Sequence, residues 1–421
     1  MKILFINSGD TSGGAAIAAA RIARGLHAGY GTLNYFLVGK KSSFDQHTFQ
    51  TTASEYQSCI EQLIDMTTNR LGLQYQFFPF SSRNILKTAR DLKPDIISLH
   101  NTHGGYFRTT LIKELSGIAP VVWTLHDMWS FTGNAAHAFG DEAWARMENP
   151  QQYMSVYPAI GINTGRYLLR QKMRTYSGSD LTIVTPSQWL YGLASRSPVF
   201  RGKKRECIPH GVDHQIFRPK NKRACRLALS LPEHGKILMF CAEFTHENLW
   251  KGGSELLDIL KAIDSRSSSE VNILILGKGN LKAIEGLNRL RIYNMGYAQG
   301  EEFVSQCFSA ADLVMYPTRA DNMPLVLLEA VSCGTPCIAT NIGGCPEIVR
   351  DGVSGVLVDP LDTAGYAKQA ASLLSDDARL RRLSESARDF AVHNFSMEQM
   401  ASRYYGLFKS IVEGRGRAGN V

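Results

Sequence analysis

Short apolar runs rich in β-branched residues alternate with helical patterns along nearly the whole chain, and the alternation happens twice. The first set of strand candidates is 2–7, 33–38, 95–99, 120–125 and 181–185; the second is 237–241, 271–277, 291–295, 312–316 and 336–340. Helical patterns such as 15–26, 301–310 and 325–333 lie between them. Runs such as ILILG and VVWTL are apolar on both strand faces, which suits a parallel sheet covered by helices on both sides. Repeated strand–helix alternation predicts a doubly wound α/β architecture. The stretch RGKKRECIPHGVDHQIFRPKNKRACR, 201–226, is basic and turn-rich and breaks the pattern. Two Rossmann-like domains follow, 1–205 and 236–395, with 206–235 as a linker and a closing helix, 397–415, joined to the first domain.

Length and composition agree with two ordinary cores. The chain has 421 residues, 44% hydrophobic and 20% charged, which excludes a mainly disordered or fibrous protein. No run of about 18 uncharged apolar residues occurs, so no spanning helix is expected. The start, MKILFINSGD, carries too short an apolar run for a signal peptide and reads as a first strand, so the expected location is cytoplasmic. Seven of the eight cysteines follow position 200 and none has C-x-x-C spacing; Cys333 and Cys337 are closest. Buried free thiols are therefore expected rather than a zinc knuckle or redox dithiol.

The net charge of +8 is uneven. Residues 1–205 hold 22 Lys and Arg against 13 Asp and Glu, whereas the remainder holds 24 against 25. A basic half suits a phosphorylated substrate or an anionic membrane surface. Nucleic acid is set aside, because no aromatics interleave with a basic stripe. The stretch GRYLLRQKMR, 165–174, sets Tyr167, Leu168, Leu169 and Met173 among Arg166, Arg170, Lys172 and Arg174. This basic amphipathic pattern suits a helix lying on an anionic membrane, or one packed on the first sheet with its charges in water.

Several residues fall where open α/β sheets bind ligands, at the carboxyl ends of strands. The first strand–helix turn, NSGDTSGGAA, ends in Gly13 and Gly14 before an Ala-rich helix. Glycines there let backbone approach a phosphate at a helix N-terminus, though a plain tight turn reads the same way. The spacing matches neither G-x-G-x-x-G nor the P-loop, which disfavours a nicotinamide enzyme or a P-loop NTPase. PDIISLHNTHGGYF sets His100 and His103 just past one strand; VVWTLHDMWSFTGN sets His126 and Asp127 past another. Their spacing on separate loops is no recognisable zinc pattern. FCAEFTHENLWKGG supplies Lys251 beside a glycine pair, suited to a diphosphate, and ILGKGN supplies Gly277 and Gly279. In YPTRADNMPLVLLEAV a strand enters a loop with Asp321, Asn322 and Pro324, and the next helix carries Glu329. A carboxylate on so apolar a helix needs donors, either a ribose diol or backbone amides.

Asp321 and Glu329, seven residues apart, resemble the E-x7-E signature of glycosyltransferase family 4, which has the GT-B fold. CGTPCIATNIGGCPEIVRDGVSGVLVDP, IPHGVDHQIFRP, TPSQWL, the KGG after Lys251 and the loop at Gly13 resemble the family in the same order over nearly the whole chain. HDMWSFTG is similar to a subgroup that builds bacterial surface polysaccharides. The resemblance implies two domains facing a central cleft, with a nucleotide-sugar donor held mostly by the C-terminal one. It implies hexosyl transfer with retention of anomeric configuration to a polysaccharide or lipid-linked acceptor, with no obligatory metal and no cofactor, at the inner face of the membrane where the acceptor is lipid-linked. By motif position, Glu329 holds the ribose. Asp321 and the backbone of Asn322, Met323, Pro324 and Leu325 hold sugar hydroxyls and phosphates, near Gly277. Lys251 and the Gly13–Gly14 turn stabilise the diphosphate. His126 lines the donor sugar, so that His126, Asp321 and Lys251 are the catalytic candidates. His100, His103 and Asp127 lie on the acceptor side.

The chain departs from the family at three places. The first acidic position is Asp rather than Glu. FCAEFTHENLW lacks the Arg usual before the Lys, so that His246, a residue elsewhere, or Lys251 alone is left to meet the phosphates. Asn134, Ala135 and Ala136 stand where relatives show Gly-Cys. A sugar-nucleotide epimerase of the same fold and a non-catalytic nucleotide-sugar-binding protein are the rival readings.

Overall fold

The computed structural model describes residues 1–241, 252–266, 270–277, 286–297 and 300–418. Lys251, His246 and Gly279 lie outside the described residues. The chain divides into two compact units, Met1–His210 with Glu398–Val421, and Gly211–Met397.

The first unit is built on seven parallel strands: β1 (Lys2–Gly9), β2 (Leu33–Lys40), β3 (Thr48–Gln50), β4 (Ile96–Leu99), β5 (Val121–Thr124), β6 (Leu181–Thr185) and β7 (Lys204–Cys207). Every residue of β4, β5 and β6 is buried, as both-face apolar runs require. The order is β3-β2-β1-β4-β5-β6-β7. The sheet grows one way from β1 and then the other from β4, so the loops after these two strands part and leave a crevice at their carboxyl ends. The helix Gly14–Tyr30 lies close on the sheet through Ala16, Ala19, Ile22 and Leu26, and stops at Gly31, whose φ of 61° suits glycine.

Two helices between β3 and β4, Glu55–Arg70 and Pro79–Leu92, were not expected from the sequence pattern. The buried Glu61 joins them. Its Oε1 accepts from Phe80 N at 2.8 Å and Ser81 N at 2.9 Å, capping the second helix from the first. A carboxylate there meets both the free N–H groups and the positive end of the helix dipole. The closing helix, Met397–Ala418, lies on this unit: Tyr404 Oη is 3.0 Å from Thr124 Oγ1, and Tyr405 stacks on Tyr30 at 3.9 Å.

The helix Gly165–Ser177 turns Leu168, Leu169 and Tyr176 inward and leaves Tyr167 and Met173 exposed. Leu168, Leu169 and Tyr176 are buried in the core, so they do not face a bilayer. Lys172 is buried too and is not part of a basic surface. Arg166, Arg170 and Arg174 remain exposed.

The second unit holds six parallel strands: β8 (Ile237–Cys241), β9 (Val271–Leu276), β10 (Leu290–Asn294), β11 (Leu313–Tyr316), β12 (Cys337–Thr340) and β13 (Gly355–Val358), in the order β10-β9-β8-β11-β12-β13. Its switch point is between β8 and β11. The stretch expected as a linker from 206 is folded structure. It begins inside β7 and contains the helix Lys222–Ala228. Arg226, 4% exposed, donates to Ala310 O, Glu233 O and Gly235 O at 3.0 Å each and pairs with Asp312 at 2.8 Å. Lys222 reaches the same carboxylate at 2.7 Å. The basic run therefore owes part of its composition to one half-buried aspartate, and the chain passes between units at 210–211.

The cysteines are free thiols. Six are buried; Cys59, on the helix Glu55–Arg70, is exposed.

Candidate active site

In the first unit the site is assembled around the β1/β4 switch point. Asn7, fully buried at the end of β1, accepts from Asn101 N at 3.0 Å and donates to Gly9 O at 2.9 Å, tying the two parting loops together. Beyond Gly9 the chain reaches Gly13, with φ 89°, and the helix that follows has no side-chain cap. A Cβ at Gly13 or Gly14 would meet nothing within 4 Å, and both residues are exposed. Packing therefore does not demand these glycines. Conformation demands Gly13, and the open helix N-terminus can receive an anion.

The four polar residues after β4 and β5 come together. His100 Nδ1 is 3.1 Å from His126 Nε2, and Ser98 Oγ is 3.2 Å from His100 Nε2. The rings of His100 and His126 stack at 5.4 Å, and His210 stacks on the far side of His126 at 5.5 Å. Burial pushes His126 down to about 4, with Asp127 opposing and His103 reinforcing. Burial also drives His100 well below the usual histidine range. Both rings are neutral at physiological pH, so this is a hydrogen-bonding column rather than a cationic one. His103 Nε2 meets Asp127 Oδ2 at 2.7 Å, and Trp129 N donates to Asp127 Oδ1 at 2.8 Å. Burial alone would raise Asp127; His103, His137 and the Trp129 amide outweigh it and hold the carboxyl at about 2.

In the second unit the corresponding place is the loop after β11. Asp321 Oδ2 accepts from Tyr316 Oη at 2.5 Å, and its Oδ1 accepts from Asn322 N at 2.8 Å. The loop is seated from the other side by Gly343, with φ 61°, where a Cβ would stand 1.9 Å from Asp321 O; Gly344 N donates to that same oxygen at 3.1 Å. The helix Leu325–Ser332 then begins after Pro324 without a side-chain cap. Asn322, Met323, Pro324 and Leu325 are buried. Glu329 is 7% exposed, one turn into the helix. Gly277 follows β9 with φ 141°, and its N–H donates to Gly296 O at 2.7 Å. Lys251, the third catalytic candidate, is not among the described residues. The helix just after it starts at Gly253, and a Cβ on Gly252 would stand 1.7 Å from Pro317 O, so that start abuts the Asp321 loop.

Sequence reading missed several neighbours. Tyr316, the last strand residue, orients Asp321. His210, quoted only as part of IPHGVD, extends the histidine column. Arg319 sits on the Asp321 loop, its Nε 3.5 Å from Glu255 in the first turn of the helix Gly253–Arg266. No motif marks Arg319, which lies far along the chain from Lys251. Asp65, from an unexpected helix, lies against the glycine loop after His103, where a Cβ on Gly105 would be 3.2 Å from its Oδ2; burial raises it to about 6.

Two parallel doubly wound units, each with polar groups at its switch point, constitute the GT-B fold. Residues 235–376 match the family model described as glycosyl transferases group 1. A D-inositol 3-phosphate glycosyltransferase 1 from Catenulispora acidiphila is 31% identical over 222 residues, 49% of this chain and 52% of that protein. The chain spans about half the length of such curated relatives. Among solved structures, Anabaena HepE in complex with UDP aligns with a TM-score of 0.68 at 18% identity, over 97% of this chain and 100% of that one. Sucrose-phosphate synthase from Thermosynechococcus elongatus aligns at 0.71 and 18%, over 98% and 99%. Among the described residues no helix is long and apolar enough to cross a membrane.

Proposed function

We propose that this protein is a glycosyltransferase that moves a hexose from a nucleoside-diphosphate donor to a glycan or lipid-linked acceptor, with retention and without a metal. The observation that carries the reading is the loop and helix after β11, where Asp321 and the buried Glu329 flank an uncapped helix start at the switch point, within the segment that matches the family model. In this reading Glu329 accepts both ribose hydroxyls. The free N–H groups at the start of Leu325–Ser332 meet phosphate or sugar oxygens. Asp321, already oriented by Tyr316, accepts from a sugar hydroxyl. Lys251, Arg319 and the Gly13–Gly14 turn oppose the charge that grows on the departing diphosphate, and such fixed groups act most strongly where charge develops. A neutral His126 hydrogen-bonds the donor sugar without placing a cation beside an anomeric carbon that is itself becoming positive.

The test is a panel of UDP-, GDP- and ADP-sugars incubated with the protein, with and without glycan acceptors. Release of nucleoside diphosphate with an α-donor giving an α-product supports the reading, and EDTA leaves it unchanged. Isomerised donor without release would make the protein an epimerase. Nucleotide binding with no turnover on any donor would make it a binding protein. Glu329→Ala should weaken nucleotide binding by about 1–3 kcal/mol, the cost of leaving a buried diol unpaired. Unchanged affinity would remove Glu329 from the site. Membrane docking through Arg166, Arg170 and Arg174 would draw apolar help only from Tyr167 and Met173, since Leu168 and Leu169 are buried.

A further inference from the structure

The first unit carries a second concave feature, distant in sequence from the residues above. A groove of about 760 Å³ opens where the helices Glu55–Arg70 and Pro79–Leu92 meet the loop between them. Its apolar wall includes Ile64, Phe77 and Leu86; its cations are Arg83, Arg90 and Arg108, and no carboxylate lines it. Arg83, Leu86 and Arg90 are spaced three and four residues apart and share one face of their helix. Arg108 is held in place by Glu114 at 2.7 Å and Ser82 at 3.2 Å. Arg83 and Arg90 are exposed and have no acidic partner among the described residues. Apolar side chains of the same unit are also in the open. Phe77 is 57% exposed, and Tyr56, Leu63 and Met66, along one stripe of Glu55–Arg70, are 76%, 65% and 55% exposed. An exposed aromatic in the wall of a basic groove marks an interaction site rather than a solubilising face.

We propose that this groove docks the protein on an anionic phospholipid surface, with one headgroup phosphate held between Arg83 and Arg90 and with Phe77 against the acyl boundary. Charge complementarity selects the occupant. Unpaired guanidiniums and the absence of any lining carboxylate call for an anion, and the apolar neighbours call for hydrocarbon beside it. The helix Gly165–Ser177 also offers exposed arginines, with Tyr167 and Met173 exposed beside them, but its leucines are buried and no concave apolar wall accompanies its charges among the described residues. The inference does not depend on the transferase reading.

Flotation of the full-length protein with phosphatidylglycerol vesicles and with phosphatidylcholine vesicles tests it. Binding is expected to the first only, reduced by raising salt to about 1 M, where screening acts within about 3 Å. Arg83→Glu with Arg90→Glu should cut the bound fraction roughly tenfold or more at low salt, and Phe77→Ser should cut it also at high salt. Circular dichroism and unchanged hydrolysis of a nucleotide sugar show that the variants remain folded, and keep this test separate from that of the enzymatic reading. No preference for anionic vesicles, or binding lost on Arg166→Glu/Arg170→Glu/Arg174→Glu but retained on Arg83→Glu/Arg90→Glu, overturns the proposal. Full competition by soluble inorganic phosphate would assign the groove to a free anion and overturn it as well.

Discussion

Replacing Lys172 with Met tests how the loop after Asp127 is held. Lys172 is 2% exposed and its ammonium makes no ion pair among the described residues. Instead Nζ donates to Trp129 O at 2.5 Å, Thr132 O at 3.0 Å and Gly133 O at 3.5 Å, and lies 3.8 Å from the Trp129 ring centroid. Trp129 in turn donates its amide to Asp127 and its indole N–H to Gln74 at 2.8 Å. Methionine fills much the same volume but offers no donor. Two good charge-assisted bonds are lost at about 1.5–3 kcal/mol each, and the cation–π contact at about 1–2. Against this, the variant no longer buries an ammonium, a relief of several kcal/mol. The carbonyls left without a donor decide the sign, and the expected net loss is about 2–4 kcal/mol. Burial drives the Lys172 pKa well below the usual lysine value. The unfolded chain therefore binds more protons between the two values, and wild-type stability rises with pH across that window; the variant should lack this rise. Urea unfolding followed by tryptophan fluorescence reports the right unit, since Trp123, Trp129, Trp144 and Trp189 all lie in it. A loss below about 0.5 kcal/mol, the range of ordinary surface substitutions, would refute the carbonyl clamp.

The histidine column makes an acid limb. His126 titrates at about 4 folded against 6.5 unfolded, so stability should fall as pH drops from 6.5 toward 4, by up to about 3 kcal/mol, and His126→Gln should flatten that slope in urea midpoints. Asp127, held at about 2, adds its own loss only below the ordinary carboxylate value of 3.8. Gly343→Ala forces a Cβ onto Asp321 O and a side chain into positive φ, so calorimetry should show weakened nucleotide binding together with a lower melting temperature; unchanged binding would mean that the Asp321 loop tolerates displacement. Lys251→Ala should lower kcat more than nucleotide affinity, because leaving-group charge grows in the transition state, and equal losses in both would assign Lys251 to ground-state binding.

Hydrophobic pattern alone determined the two parallel sheets. Runs such as IISL, VVWT and VNILIL have no polar face to give to water, so only a sheet covered on both sides accepts them. The same pattern placed His100, His126 and Asp321 at strand ends, because a strand's end is written in its own residues. The helices Glu55–Arg70 and Pro79–Leu92 were not legible. Glu55–Arg70 buries only Glu61 and leaves its apolar Tyr56, Leu63 and Met66 exposed, so no apolar stripe marks a core-facing side, and it is tied down by a carboxylate reaching the next helix. Lys172 and Arg226 read as surface charge, yet each is buried against groups from other segments, carbonyls 39–43 residues away and Asp312 86 residues away. The His126–His210 stack, the Tyr316–Asp321 bond and the arginine groove also join residues whose spacing carries no period. Periodicity records which way a side chain faces; what it meets there depends on how distant segments are brought together, and that was decided by the tertiary structure.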